Sequence, residues 1–210
     1  MIRKHLKVLI ITSLIILLPM LAGIILWKQL PEQIPMHWNF AGEVDRWGSK
    51  AFAVFGMPAI LLGFQWICTL GIFMDPKRAN HTGKILHLIF WIIPAISLVV
   101  NVLTYTAAFG VDVPVGAVMC VFMGLVFIII GNYMPKCKQN YTIGIKIPWT
   151  LSSEENWNKT HRFAGRLWVI CGLIIIATGF LSNFWIFISM VFLMVFVPFI
   201  YSYILHRRGA

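Results

Sequence analysis

His37, Glu43 and Asp45 stand within one short polar stretch. An imidazole with two carboxylates is a donor set that can hold a divalent cation. Their spacing fits no established ligand motif, and ion pairing of Glu43 and Asp45 with Arg46 or Lys50 is a simpler use of the same charges. Recognition is a third use. Trp38, Phe40 and Trp47 interleave with these groups, and aromatics with a few charges suit docking of an apolar or amphipathic peptide. A second polar concentration runs from Asn140 to Gly165, NYTIGIKIPWTLSSEENWNKTHRFAG. It holds Trp149, Trp157, Lys146, Lys159, Arg162 and the adjacent acids Glu154 and Glu155. His161 is its acid–base residue, yet no nucleophile–base pair and no phosphate loop accompanies it.

The elements that must position these residues are membrane helices. Of 210 residues, 60% are hydrophobic and 11% charged, and the mean hydropathy is +0.84. Soluble domains carry about 25% charged residues. A crossing helix needs about 20 mostly apolar residues. Six segments qualify: Val8–Trp27, Ala51–Met74, Ile85–Ala108, Val115–Met134, Phe163–Leu181 and Phe184–Leu205. The first is too long for a signal-peptide core and is read as a retained span. The fold class is therefore an all-α membrane protein with six transmembrane helices.

The net charge of +10 raises nucleic acid as a partner, but its distribution argues against direct binding. Lysine and arginine flank the apolar segments, and 14 of the 17 lie at the N-terminus, in the second and fourth loops and at the C-terminus. Basic loops stay on the cytoplasmic side. Both termini and the 140–165 segment are therefore expected in the cytoplasm, and loop 28–50 outside. The chain divides into a two-span region, 1–84, with outer loop 28–50, and a four-span region, 85–210, with cytoplasmic loop 135–162.

The spans lack central Asp, Glu, Lys or Arg, which weighs against an ion-coupled transporter. Gln65 and Asn101 need interhelical hydrogen-bond partners, and Pro19, Pro58, Pro94 and Pro198 are expected to kink their helices. Gly124 and Gly131 can share a close-packed face. The four cysteines, Cys68, Cys120, Cys137 and Cys171, show no paired spacing.

In the outer loop, Ala41-Gly42 suggests a turn, and the aromatics suit the headgroup level. In the cytoplasmic segment, Tyr141–Ile147 reads as extended, broken by Gly144, and Pro148 biases Ile147 to an extended conformation. Ser152 with Glu155 fits a capping box, which starts a helix near Ser153. Trp157, Thr160, His161, Ala164 and Trp168 then share one helical face, and Glu155 and Lys159 form an i,i+4 pair. The pattern predicts an interfacial amphipathic helix that turns into the fifth span near Gly165.

These residues resemble a known family. The match falls on Asn140, Gly144, Ile145, Pro148, Trp149, Thr150, Leu151, Ser152, Trp157, Thr160, His161, Arg162 and Gly165, and it looks like the signature of the SdpI family of bacterial membrane immunity proteins. Leu30, Pro31, Ile34, Pro35, His37, Gly42, Asp45, Trp47, Gly48 and Lys50 resemble that family's N-terminal domain of unknown function. Lys146-Ile147 departs from the pattern, in which Arg-Thr is expected; the charge is kept and a bidentate donor is lost. The resemblance implies protection of the cell against a secreted, membrane-active killing peptide. It also implies a receptor role, in which a small winged-helix repressor is held at the membrane.

Under this reading the toxin meets His37, Trp38, Glu43, Asp45 and Trp47. A cytoplasmic partner or the fold itself depends on Asn140, Gly144, Lys146, Pro148, Trp149, Thr150, Trp157, His161 and Arg162. No catalytic residue, cofactor or metal is assigned. The competing class is a small transporter or a metal-dependent membrane enzyme built on the His37, Glu43 and Asp45 cluster.

Overall fold

The computed structural model describes residues 2–39, 42–181 and 183–209, with backbone alone for residues 2–4. Six of its helices are long and apolar enough to cross a membrane. They are α1 (Ile2–Ile25), α2 (Met57–Met74), α3 (Gly83–Ala108), α4 (Val115–Tyr133), α6 (Glu154–Thr178) and α7 (Phe184–Arg207). A short α5 (Pro148–Ser152) precedes α6. A π-helical turn, Phe52–Gly56, leads into α2. Pro58 explains its place: with no N–H to give Val54, the chain closes a wider bond from Met57 to the Phe52 carbonyl.

The fifth span departs from expectation. No separate interfacial helix turns at Gly165; α6 runs unbroken from Glu154 to Thr178. A helical glycine costs about 1 kcal/mol but removes no hydrogen bond, so it need not end a helix. Here it has another use. A Cβ on Gly165 would lie 2.5 Å from the Gly131 carbonyl oxygen of α4, and one on Gly172 would lie 2.7 Å from that of Gly124. The close-packed face expected of Gly124 and Gly131 is present, and the same spacing recurs on α6.

Loop 28–50 holds a feature that the sequence reading missed, a two-stranded antiparallel hairpin of β1 (Gln33–Trp38) and β2 (Val44–Ser49). Asn39 and Glu43 close it: the Asn39 amide N–H donates to the Glu43 carbonyl, and the Glu43 N–H donates to the Asn39 side-chain oxygen. Phe40 and, in the expected turn, Ala41 lie outside the described residues.

The chain packs as two compact units. One comprises residues 1–73 and 86–115, the other 74–85 and 116–210. The boundary at 84/85 separates the chain by motif content, whereas each compact unit takes a share of both halves.

In the first unit, Gln65 finds the partners it needs, the Thr12 hydroxyl at 3.2 Å and the Phe90 carbonyl at 3.1 Å. Ser97 donates to the Ile16 carbonyl, and Tyr105 to that of Pro19. Asn101 donates to the Ser97 carbonyl. The hairpin is seated through Leu30 and Ile34, which pack with Ala53, Val54 and Tyr105. Buried Lys50 fixes its base: the ammonium donates to Glu32 at 2.8 Å and to the Trp27 and Leu30 carbonyls, and lies over the Trp27 ring. The cation thus serves carbonyls of the turns that follow α1.

In the second unit, α6 and α7 share a core of Cys171, Ile175 and Met194, and the Trp168 indole donates to the Met194 carbonyl. All four cysteines are free thiols.

Candidate functional site

The second unit gathers most of the 140–165 signature into one knot. Its centre is Trp157, fully buried on α6, whose indole N–H donates to the Cys137 carbonyl at 2.7 Å. His161, one turn on, stacks against it with ring centroids 4.0 Å apart. Its Nδ1 meets the Trp157 carbonyl at 2.8 Å, and its Nε2 accepts the Ile145 amide at 3.0 Å. A carbonyl requires a donor and an amide requires an acceptor. The ring is therefore neutral with its proton on Nδ1, and no lone pair is left for base chemistry.

Gly144 makes this approach possible. Its φ is +112°, and a Cβ there would collide with His161 Nε2 and press on the Trp157 ring. Asn140, wholly buried, ties the preceding turn. Its amide donates to the Lys138 and Ile143 carbonyls, and its oxygen accepts the Thr142 and Ile143 amides. Residues 141–144 thus bend around Asn140, and no strand forms across 141–147. Burial pushes the Cys137 thiol up to about 11, against a lowering hydrogen bond from Asn140. It is an unreactive packing group.

Pro148 opens α5, and Ile147 before it is extended, as the proline requires. Thr150, also buried, accepts from the Ile147 amide and donates to the Ile145 carbonyl. Trp149 leaves the knot and packs on α7 against Phe199 and Tyr203, parallel to His206. Asn156 also reaches α7: its amide donates to the Ser202 carbonyl, and its oxygen accepts the Ser202 hydroxyl at 2.5 Å.

The helix cap differs from expectation by one residue. Ser153, not Ser152, caps α6 by accepting the Asn156 amide, while Ser152 donates to the Trp149 carbonyl. Glu155 does not reach back to complete a box; it pairs with Lys159 at 2.6 Å, as the i,i+4 spacing predicts. Trp157, Thr160, His161 and Ala164 form the buried face of α6.

The sequence reading missed the segment that locks this knot. Asp75 has a fully enclosed side chain. Its Oδ1 accepts the Lys77 amide at 2.7 Å, and its Oδ2 accepts the Tyr141 amide and the Thr142 hydroxyl at 2.9 and 2.7 Å. His81 Nε2 stands 3.3 Å from the same oxygen. Burial works to raise the Asp75 carboxyl. The bonds from Thr142, Lys77 and Tyr141 and the charge of His81 outweigh it and hold the group below its usual range. For His81, burial outweighs the attraction of Asp75 and lowers the imidazole, favouring the neutral ring. Because the Thr142 hydroxyl donates to Asp75, its contact with His81 requires a proton on Nε2. Gln139 completes the lock: it accepts from Lys77 and donates to the Thr150 and Leu151 carbonyls, and Asn80 donates to its backbone. One signal was available, since Asp75 is among only seven acids and directly follows an apolar span.

Lys146 and Arg162 point outward, although the Lys146 ammonium reaches the Thr142 carbonyl. Arg162 has no ion-pair or hydrogen-bond partner among the described residues.

The cluster of His37, Glu43 and Asp45 divides. His37 and Asp45 pair at 2.6 Å on the exposed hairpin, while Glu43 accepts from Asn39 in the turn. The expected pairing of Glu43 and Asp45 with Arg46 or Lys50 does not form: the register sets His37 opposite Arg46, the shift beyond it leaves Asp45 without a strand partner and within reach of the His37 ring, and Lys50 turns to Glu32. Among the described residues, no three metal-ligating side chains come together. His37 and Asp45 alone offer two ligands, fewer than the three that a catalytic zinc site takes from protein. Trp47 is exposed beside them and Trp38 is half-buried.

Comparison with known proteins matches residues 136–202 to the SdpI/YfhL protein family and residues 14–62 to a domain of unknown function (DUF1648). The chain is 30% identical over 185 residues to a protein described as "Immunity protein SdpI" from Bacillus subtilis (strain 168). That similarity covers 88% of this chain and 87% of the relative. No solved structure matches.

Proposed function

Since the chain belongs to the SdpI/YfhL protein family and is a multi-pass protein of the cell membrane, we propose that it is a non-enzymatic immunity protein. It protects the cell that makes it against a secreted, membrane-active peptide. Both termini and the 137–162 knot face the cytoplasm, and the hairpin faces out. The similarity to an immunity protein along 88% of the chain carries this reading. The hairpin supports it: His37, Asp45 and Trp47 are exposed on a support held by Lys50 and Ile34.

Expression in a peptide-sensitive cell tests it. The wild-type chain is expected to restore growth, and His37→Ala with Trp47→Ala to lower protection by about tenfold in peptide dose, the range of an interface aromatic. Equal killing with and without the wild-type chain overturns the reading. Full protection by the double variant removes the hairpin as the contact.

A second activity is retention of a small winged-helix repressor at the knot. Its support is the exposure of Tyr141 and Lys146 on a segment rigidly bonded beneath them. Membranes carrying the wild type are expected to retain a DNA-binding protein when peptide is present, and Tyr141→Ala membranes to release it. Equal retention by membranes lacking the chain excludes this role.

A further inference from the structure

The outward stripe of α6 changes character along its length. Glu155, Lys159, Arg162 and Arg166 follow one another at helical spacing, and all are exposed. The same stripe continues into Ile170 and Leu173, each 55% exposed, which is the character of a lipid-facing surface. One turn separates Arg166 from Ile170, about 6 Å along the axis. Arg166 therefore stands where hydrocarbon gives way to headgroups, with Arg162 one turn further out.

These two arginines are electrostatically unanswered. The only acids on α6 are Glu154 and Glu155 in its first turn, and Glu155 is taken by Lys159. Neither guanidinium has an ion-pair partner among the described residues. Like charges one turn apart repel unless an anion lies between them. Guanidinium presents a planar fork that matches phosphate oxygens. Lys136, exposed just beyond the Gly131–Gly165 contact of α4 and α6, adds a cation to the same unit.

We propose that Arg162 and Arg166 form a binding site for the headgroup phosphate of an anionic phospholipid. A net anionic headgroup answers both charges. A zwitterionic one brings its own cation into the same field. The unbroken passage of the stripe into Ile170 and Leu173 favours lipid over a protein partner, which would have to lie in the plane of the bilayer surface.

The full chain is purified into nanodiscs of phosphatidylcholine, alone or mixed with phosphatidylglycerol. Lipid retained on the protein is measured by native mass spectrometry, and unfolding by heat. Phosphatidylglycerol is expected to be enriched on the wild type and to raise its midpoint. Arg162→Gln with Arg166→Gln is expected to reduce that preference about 30-fold, from about 1 kcal/mol per basic side chain at an anionic surface. Arg162→Lys with Arg166→Lys keeps the charge and loses the fork, so an intermediate preference is expected; it also serves as a folded control. No preference for phosphatidylglycerol in the wild type, or the same preference in the Gln pair, overturns the proposal. So does inorganic phosphate that reproduces the stabilisation in phosphatidylcholine alone.

Discussion

Gly144→Ala is expected to open the knot around Trp157 and lower the unfolding midpoint of the purified protein by about 10 °C, at about 2–4 °C per kcal/mol for a chain of this size. Two costs add. At φ +112° a side chain is strained by about 1–3 kcal/mol. The new Cβ also displaces His161, which breaks its bond to the Ile145 amide. A buried amide left without a partner costs a further 1–3 kcal/mol or so. The sum is about 2–6 kcal/mol, and the stacked Trp157 should report it as a change in near-ultraviolet dichroism. Gly63→Ala is the control: nothing lies within 4 Å of a Cβ there, and its midpoint should hold or rise. An unchanged midpoint in Gly144→Ala would show that the knot does not depend on this close approach.

Asp75→Ala is expected to cost a similar amount, about 3–5 kcal/mol, because it strands the Lys77 and Tyr141 amides and the Thr142 hydroxyl together. Asp75→Asn should cost less, since one oxygen remains to accept. The pH dependence follows from the same contacts. The folded Asp75 carboxyl ionises at lower pH than a free one, so its stabilisation is complete above the usual 3.8 and is lost as pH falls through the lower folded value. His81 acts in a different window. Its folded pKa lies below the usual 6.5, so the unfolded chain takes up a proton first, and stability falls as pH drops below that value. Melting curves between about pH 7.5 and about pH 5.5 should show this loss in the wild type and less of it in His81→Gln. Identical slopes in the two proteins would exclude His81 as the source.

What the sequence made legible follows from periodicity and composition. Long apolar runs place six helices, and the spacing of Trp157, Thr160, His161 and Ala164 marks the buried face of α6. Gly124 and Gly131 announce a close approach, though not to which helix. The hairpin was hidden because Pro35 and the irregular pairing near His37 break the alternation that marks a strand. The Asp75 lock was hidden for another reason. Its partners Tyr141 and Thr142 lie 66 and 67 residues away, and a long-range contact has no local pattern. Ser152 and Ser153 are chemically equal as caps, and only the backbone turn after α5 chooses between them. The shared face of Trp157, Thr160, His161 and Ala164 reads as that of an interfacial amphipathic helix; in the fold Cys137, Gly144 and Ile145 meet it.

The bonds of Asn156 to Ser202 and the packing of Trp149 on Phe199, Tyr203 and His206 also set an order in time. The ribosome makes α7 last. Until it arrives, the amide of Asn156 and one face of Trp149 have nothing to close on, although every other part of the knot already exists. The knot is therefore the final region of its unit to set, and a chain stalled before residue 184 would display it open.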